Sequence, residues 1–123
     1  MGRAVINLDT HVLVFALTGA IRGRERALLS DQAWSISAIV LWELAKLSQL
    51  GRIEIDLGDP DIVRALSGLH VWPIDLVVSR QSTRLDFAGD PADELIAATS
   101  VVHNVPLLTR DRRIRGSRIV PLA

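Results

Sequence analysis

Asp90-Pro91-Ala92-Asp93-Glu94-Leu95-Ile96-Ala97-Ala98-Thr99-Ser100-Val101-Val102-His103, continuing through Asn104-Val105-Pro106-Leu107-Leu108-Thr109-Arg110-Asp111, decides the fold. The first part opens on an aspartate at the cap position, puts a proline in the first turn and acids after it, and then turns apolar. That order predicts a helix over 90–103. The second part holds the short apolar run Val105 to Thr109, which predicts a buried strand. A helix handed to a short apolar strand is the repeating step of an α/β chain.

The same step recurs upstream. Arg3 to Leu8 reads as a buried strand and Thr10 to Thr18 as a helix stopped by Gly19. Arg24 to Leu29 reads as a helix, and Trp34 to Ser37 as a strand. Ser37 is placed to cap a helix from Ala38 to Leu50, ended by Gly51. Asp56 to Asp61 carries turn residues, and Asp61 to Leu66 forms a short helix. Val71 to Ile74 is a strand that Pro73 assigns to a sheet edge. Leu76 to Leu85 is helical, and Arg118 to Leu122 is a final short strand. Strands alternating with helices predict an α/β fold around a parallel sheet.

The chain has 123 residues, about half of them apolar, so one domain spanning 1–123 is expected. With no cysteine, disulfides, thiolate zinc sites and cysteine nucleophiles are excluded. The longest apolar runs, Val12 to Leu17 and Ala38 to Trp42, fall well below the roughly 18 residues of a membrane span. No basic segment leads into an apolar core and a cleavage site at the N-terminus. The expectation is a cytoplasmic protein with no membrane attachment.

Fourteen basic and fourteen acidic residues cancel. Any grip on nucleic acid must therefore be local. Arginine is unevenly spread: Arg110, Arg112, Arg113, Arg115 and Arg118 crowd the C-terminus, and Lys46 is the only lysine. This cluster reads either as a solvated surface or as a clamp for phosphate oxygens.

Four acids occupy positions that ordinarily avoid charge. Asp9 ends the first strand, Glu43 sits in the apolar helix Ile39-Val40-Leu41-Trp42-Glu43-Leu44, Asp93 lies in the first turn of its helix, and Asp111 follows the last buried strand. Each has an ordinary reading. Asp9 can cap a helix, Glu43 can pair with Lys46, Asp93 can answer a helix dipole, and Asp111 can belong to a polar turn. Asp90 is better explained as a cap than as a ligand. Parallel strands, however, send their C-terminal ends to one rim, where ligands bind. Four carboxylates gathered there repel one another and recruit cations, and an oxygen-only site suits magnesium or manganese. Metal-assisted cleavage of a phosphodiester is the chemistry such a site performs. Thr109 is placed to hydrogen-bond an acid. The aromatic residues Trp34, Trp42, Trp72, Phe15 and Phe87 lie in apolar stretches and are expected in the core, so base stacking is not foreseen. His11 reads as a packed or surface histidine near Asp9.

Asn7-Leu8-Asp9-Thr10-His11, the Ser37-to-Glu43 segment, Asp90-Pro91-Ala92-Asp93 with Leu95-Ile96-Ala97-Ala98, and Leu107-Leu108-Thr109-Arg110-Asp111 together resemble the PIN domain. More narrowly, they resemble the VapC toxins of type II toxin–antitoxin systems. The resemblance implies a three-layer α/β/α sandwich around a central parallel sheet, and a magnesium- or manganese-dependent endoribonuclease. Asp9, Glu43, Asp93 and Asp111 then match the acidic quartet, with Thr109 and Asp90 supporting them and Arg110, Arg112, Arg113 and Arg115 meeting RNA. It also implies a homodimer and a cognate antitoxin that blocks the cleft. Ala92 and Glu94 depart from the aromatic and basic residues frequent at those places, which bears on substrate preference. An inactive PIN scaffold is the alternative. A signalling receiver domain is the other class, but Asn7-Leu8-Asp9-Thr10 lacks its acidic pair and Lys46 is misplaced for its lysine.

Overall fold

A computed structural model describes residues 3–123. The first strand, β1 (Val5–Leu8), is followed by α1 (Thr10–Thr18) and α2 (Gly23–Ser30). Then come β2 (Ala33–Ser37), α3 (Ala38–Gln49), α4 (Pro60–Ser67), β3 (His70–Trp72) and α5 (Leu76–Gln81). The chain closes with α6 (Pro91–His103), β4 (Leu107–Leu108) and the single turn α7 (Arg112–Arg115). The four strands form one parallel sheet in the order β3-β2-β1-β4, which with its helices gives the expected α/β/α sandwich.

Side-chain alternation along β1 shows why this sheet needs cover on both sides. Ile6, Asn7 and Leu8 are all fully buried. Successive strand residues point to opposite faces, so neither face of β1 meets water. The Asn7 amide donates to Ser100 Oγ at 2.9 Å, which places α6 on its face. Ile6 and Leu8 point the other way. They belong to a core that also takes in Val12, Leu13, Leu29, Ile36, Leu44 and Ile114. Among the described residues, the buried side-chain oxygen of Asn7 has no hydrogen-bond partner.

Local chemistry accounts for the element ends. Ser37 accepts from the Ile39 amide and starts α3, as its position predicts. Gly19 takes φ +79 and ends α1 in a left-handed turn. Asn104 does the same after α6 with φ 52, a role asparagine tolerates.

Several boundaries differ from the sequence reading. The helix expected from Asp61 begins at Pro60, because Asp59 caps it by accepting from the Asp61 amide. The strand expected over 105–109 pairs only through Leu107 and Leu108. The helix expected from Leu76 to Leu85 stops at Gln81. The last strand, expected over Arg118–Leu122, is not formed; a single parallel bridge joins Leu122 to Leu107. One neighbour and one distant partner take the donors: Ser117 Oγ accepts from the amides of Ile119 and Val120, and Asp86 accepts from that of Arg118. Those donors are held in a turn and cannot serve a ladder. Trp72, on the edge strand β3, stacks on His103 with ring centres 4.1 Å apart. Among the described residues, no helix is long and apolar enough to cross a membrane.

Candidate active site

The pairing of β1 with β4 fixes the geometry. Asn7 lies opposite Leu107 and Leu8 opposite Leu108, both strands running the same way. Residues 9 and 109 therefore leave the sheet side by side. The Asp9 amide extends the pairing to the Leu108 carbonyl at 3.1 Å. Asp9 is buried and held twice: Oδ1 accepts from the Thr10 amide at 2.8 Å and Oδ2 from Thr109 Oγ1 at 2.6 Å. Burial pushes its carboxyl above the ordinary range, partly offset by the Thr109 and Thr10 hydrogen bonds. The capping function foreseen for Asp9 is thus present, and its second oxygen is committed to a threonine a hundred residues away.

Glu43 reaches the same place from α3. Thr10 Oγ1 donates to its Oε1. The surface pairing with Lys46 is not formed; Lys46 Nζ donates to Gln49 instead, at 3.3 Å. Asp93 enters from the first turn of α6 with only 19% of its side chain exposed. Its carboxyl is pushed up to about 6, first by burial and then by the negative charges of Asp9, Glu43, Asp111 and Asp90. Asp111 caps α7 by accepting from the Arg113 amide at 2.8 Å, and its own amide donates to Thr109 Oγ1 at 3.0 Å. Thr109 thereby ties Asp9 to Asp111.

These side chains line one cleft of about 410 Å³, together with His11, Asp90 and Arg113. Asp90 occupies the cap position of α6 but makes no capping hydrogen bond with its side chain. The cap position read from the sequence is thus kept through the backbone, with the Glu94 amide donating to the Asp90 carbonyl at 3.1 Å, while Asp90 also lines the cleft. His11 is exposed and shares that wall.

The four arginines expected to meet substrate separate into different surroundings. Arg113 Nη2 lies 3.7 Å from Asp93 Oδ2 and 3.6 Å from Asp111 Oδ2, with 57% of its side chain exposed. Those contacts are long and wet, hence weak. Arg110 is gripped by Glu25 through two 2.7 Å bonds and lies over the Phe15 ring at 3.8 Å. Arg112 and Arg115 line a separate basic cavity with Arg22 and Arg24.

Sequence reasoning missed Thr10 as the partner of Glu43 and Glu25 as the partner of Arg110. Neither pair has a local signal, since the partners are 33 and 85 residues apart. It also misplaced Trp42, which is 56% exposed rather than in the core. The α3 face that carries it meets an apolar groove with Ile39, Pro91, Ala92 and Leu95.

Among the described residues, no three histidine, aspartate or glutamate side chains stand close enough to ligate one ion directly. The donor set still fits a hard cation. All the candidate ligands are carboxylates, and burial followed by the neighbouring negative charges raises the Asp93 carboxyl. Among the described residues, the only cation paired with Asp93 is the loosely held Arg113. A magnesium ion that retains several waters needs only one or two direct carboxylates.

A parallel sandwich with acids collected at the strand ends defines the class, and comparison with known proteins agrees. Residues 6–117 match the PIN domain, and the chain belongs to the PIN-domain family. Ribonuclease VapC22 from Mycobacterium tuberculosis is 35% identical to it over 118 residues, covering 90% of each chain. The fold is shared with a structure of VapBC2 from Rickettsia felis bound to a DNA fragment from its promoter, with TM-score 0.72, 19% identity and 97% of each chain covered. FitAcB from Neisseria gonorrhoeae superposes with TM-score 0.63 at 25% identity over 89% of each chain.

Proposed function

We propose that this protein is a VapC-type ribonuclease toxin that cuts RNA phosphodiester bonds and is restrained by a cognate antitoxin in the cytoplasm. The observation that carries the reading is the meeting of Asp9, Glu43, Asp93 and Asp111 in one cleft, with Asp93 pushed up to about 6 by burial and then by its acidic neighbours. The likeness to Ribonuclease VapC22 supports the choice of RNA.

In this reading Asp9, Glu43, Asp93 and Asp111 would hold Mg²⁺ or Mn²⁺, one or two of them directly and the rest through its waters. The bound ion supplies a lowered pKa for its water and neutralises charge building on the phosphoryl group. The chain's own residues prepare the site. Thr109 and the Thr10 amide fix both oxygens of Asp9, and Thr10 Oγ1 fixes one oxygen of Glu43. Thr109 also holds the backbone of Asp111. Asp90, with no capping bond to satisfy, is available to orient water at the cleft mouth. Arg113 is the cation nearest the acids and the natural contact for a phosphate oxygen. Arg110 shapes the wall, held there by Glu25. Arg112 and Arg115 lie beyond it.

Cleavage of a labelled RNA tests this. Wild type should cut with Mn²⁺ or Mg²⁺ and stop with chelator, and Asp9→Asn should not cut. Saturating Mn²⁺, at about a hundred times its dissociation constant, should stabilise wild type by about 2.7 kcal/mol and leave Asp9→Asn almost unmoved. Metal-independent cutting by both proteins would remove the assignment, and a folded wild type inert toward every RNA would favour a scaffold instead.

Two copies are expected to associate. Ile74, just ahead of α5, and Leu76 and Val77 at its start are exposed apolar residues whose burial water favours. Sedimentation of the purified protein as a monomer at micromolar concentration would count against this.

A further inference from the structure

The arginines outside the acidic cleft are not a uniform charged surface. Arg22, Arg24, Arg110, Arg112 and Arg115 line a cavity of about 340 Å³ in which Glu25 is the only acid. Glu25 is taken by Arg110 through two bonds of 2.7 Å. Among the described residues, the other four guanidinium groups are paired with no carboxylate side chain. Arg24 gives one bond to the Ala123 carbonyl at 3.0 Å, and Arg115 gives one to Thr109 at 3.3 Å. Each fork has five N–H donors, so most of its capacity is unspent.

The chain as a whole carries no net charge. Four cations with no acidic side chain of their own around one hollow repel one another, and an entering anion relieves that repulsion. The position of the cavity says which anion. Arg110 stands in the wall of both the basic cavity and the acidic cleft. Asp111, in the cleft, is followed directly by Arg112, in the cavity. A polyanion with one phosphodiester among the acids meets the arginines next along its length. No aromatic side chain lines the cavity, so it can hold phosphate but offers no ring for a base to stack on.

We propose that this cavity is a phosphate-binding subsite for the RNA backbone next to the scissile bond, with Arg22 and Arg24 on one side and Arg112 and Arg115 on the other. This rests on the ribonuclease reading. Planar guanidinium forks suit paired phosphate oxygens. Contacts of this kind position a strand and add affinity without choosing its sequence.

The test measures binding of a labelled single-stranded RNA of about twelve nucleotides, in chelator, across a range of salt. Arg22→Ala/Arg24→Ala should weaken binding about tenfold and flatten the salt slope by about 1.4, from two lost contacts at about 0.7 each. Arg22→Lys/Arg24→Lys should retain most of the affinity and separate lost charge from lost folding. With the cation restored, the alanine pair should raise KM for RNA about tenfold, with the smaller part of the loss in kcat. An unchanged slope and KM in a wild-type background that cleaves RNA would overturn the subsite and leave the ribonuclease reading standing. So would tighter binding of a polyglutamate peptide than of RNA of equal charge, which would make the cavity a protein-docking surface. Absence of cleavage by wild type under any cation would defeat the ribonuclease reading, while the slopes still judge the cavity.

Discussion

Asp93→Asn should reduce RNA cleavage by roughly three orders of magnitude, matching the several kcal/mol of charge stabilisation that a bound cation supplies. The same variant should make the metal-free protein more stable at pH 7. Asp93 ionises near 6 in the folded protein, against 3.8 ordinarily, because it is buried and faces Asp9, Glu43, Asp111 and Asp90. Between those two values the folded protein binds more protons than the unfolded chain. Stability contributed by this group is complete below 3.8 and is lost as pH rises through about 6. Above that window the ionised carboxylate lowers stability by up to about 3 kcal/mol, since each pKa unit is worth about 1.4. An amide carries no charge at any pH and escapes the effect. The Arg113 contact it forfeits is long and more than half exposed, and therefore weak. Urea denaturation should show the gain at pH 7 and a smaller gain at pH 4. A variant that is less stable than wild type at pH 7, or that still cuts RNA at the wild-type rate, would show that the acids do not converge on Asp93.

Glu25→Gln should act in the opposite direction. Glu25 lies on α2 with 7% of its side chain exposed. It receives Arg110 Nε and Nη2 at 2.7 Å each, while Nη2 also donates to the Ala20 carbonyl at 3.1 Å. The Arg110 hydrogen bonds hold the Glu25 carboxyl down to about 2, well below its ordinary 4.5. Its stabilising contribution is present above 4.5 and lost as pH falls through about 2. A glutamine keeps one acceptor but no charge, and it leaves a largely buried guanidinium without a counter-ion. The expected loss is about 2 kcal/mol at pH 7, fading toward pH 2. Arg110 lies between Thr109 and Asp111, so freeing it loosens the turn that carries two groups of the cleft. The variant should therefore also bind Mn²⁺ less tightly, by calorimetry, although position 25 is no ligand. An unaltered melting curve together with unaltered Mn²⁺ affinity would reduce the ion pair to surface decoration. Glu25 and Asp93 together place the acid limb of wild-type stability: as pH falls from 7, Asp93 first adds stability down to about 4, and Glu25 then removes it.

Much of this could be read directly from the chain. Pro91 after Asp90, Ser37 ahead of Ala38, and Gly19 after Thr18 mark helix ends by chemistry that acts within a turn or two. Period and propensity placed the helices and the buried strands, and four acids in unfavourable positions pointed to one rim. The errors fell where a distant partner overrode local preference. Arg118 to Val120 looked extended, but Asp86 and Ser117 took their amides. Trp42 looked like core because its neighbours are apolar, yet the face of α3 that carries it turns outward beside Glu43.

Backbone conformation is governed largely by neighbours along the chain, so residue order alone was enough for the presence of the helices, for most of their ends and for the alternating α/β pattern. Which charges meet is governed by strand order and register. Asp9 joins Thr109, and Arg110 joins Glu25, because β4 lies beside β1 with Leu8 opposite Leu108. The chain order suggested that Thr109 would meet an acid but not which one, and it carried no trace of the Arg110–Glu25 encounter. For the same reason the division of the arginines between an acidic cleft and a basic cavity became visible only once the sheet had assembled, since Coulomb forces depend on distance through space and not on separation along the polypeptide.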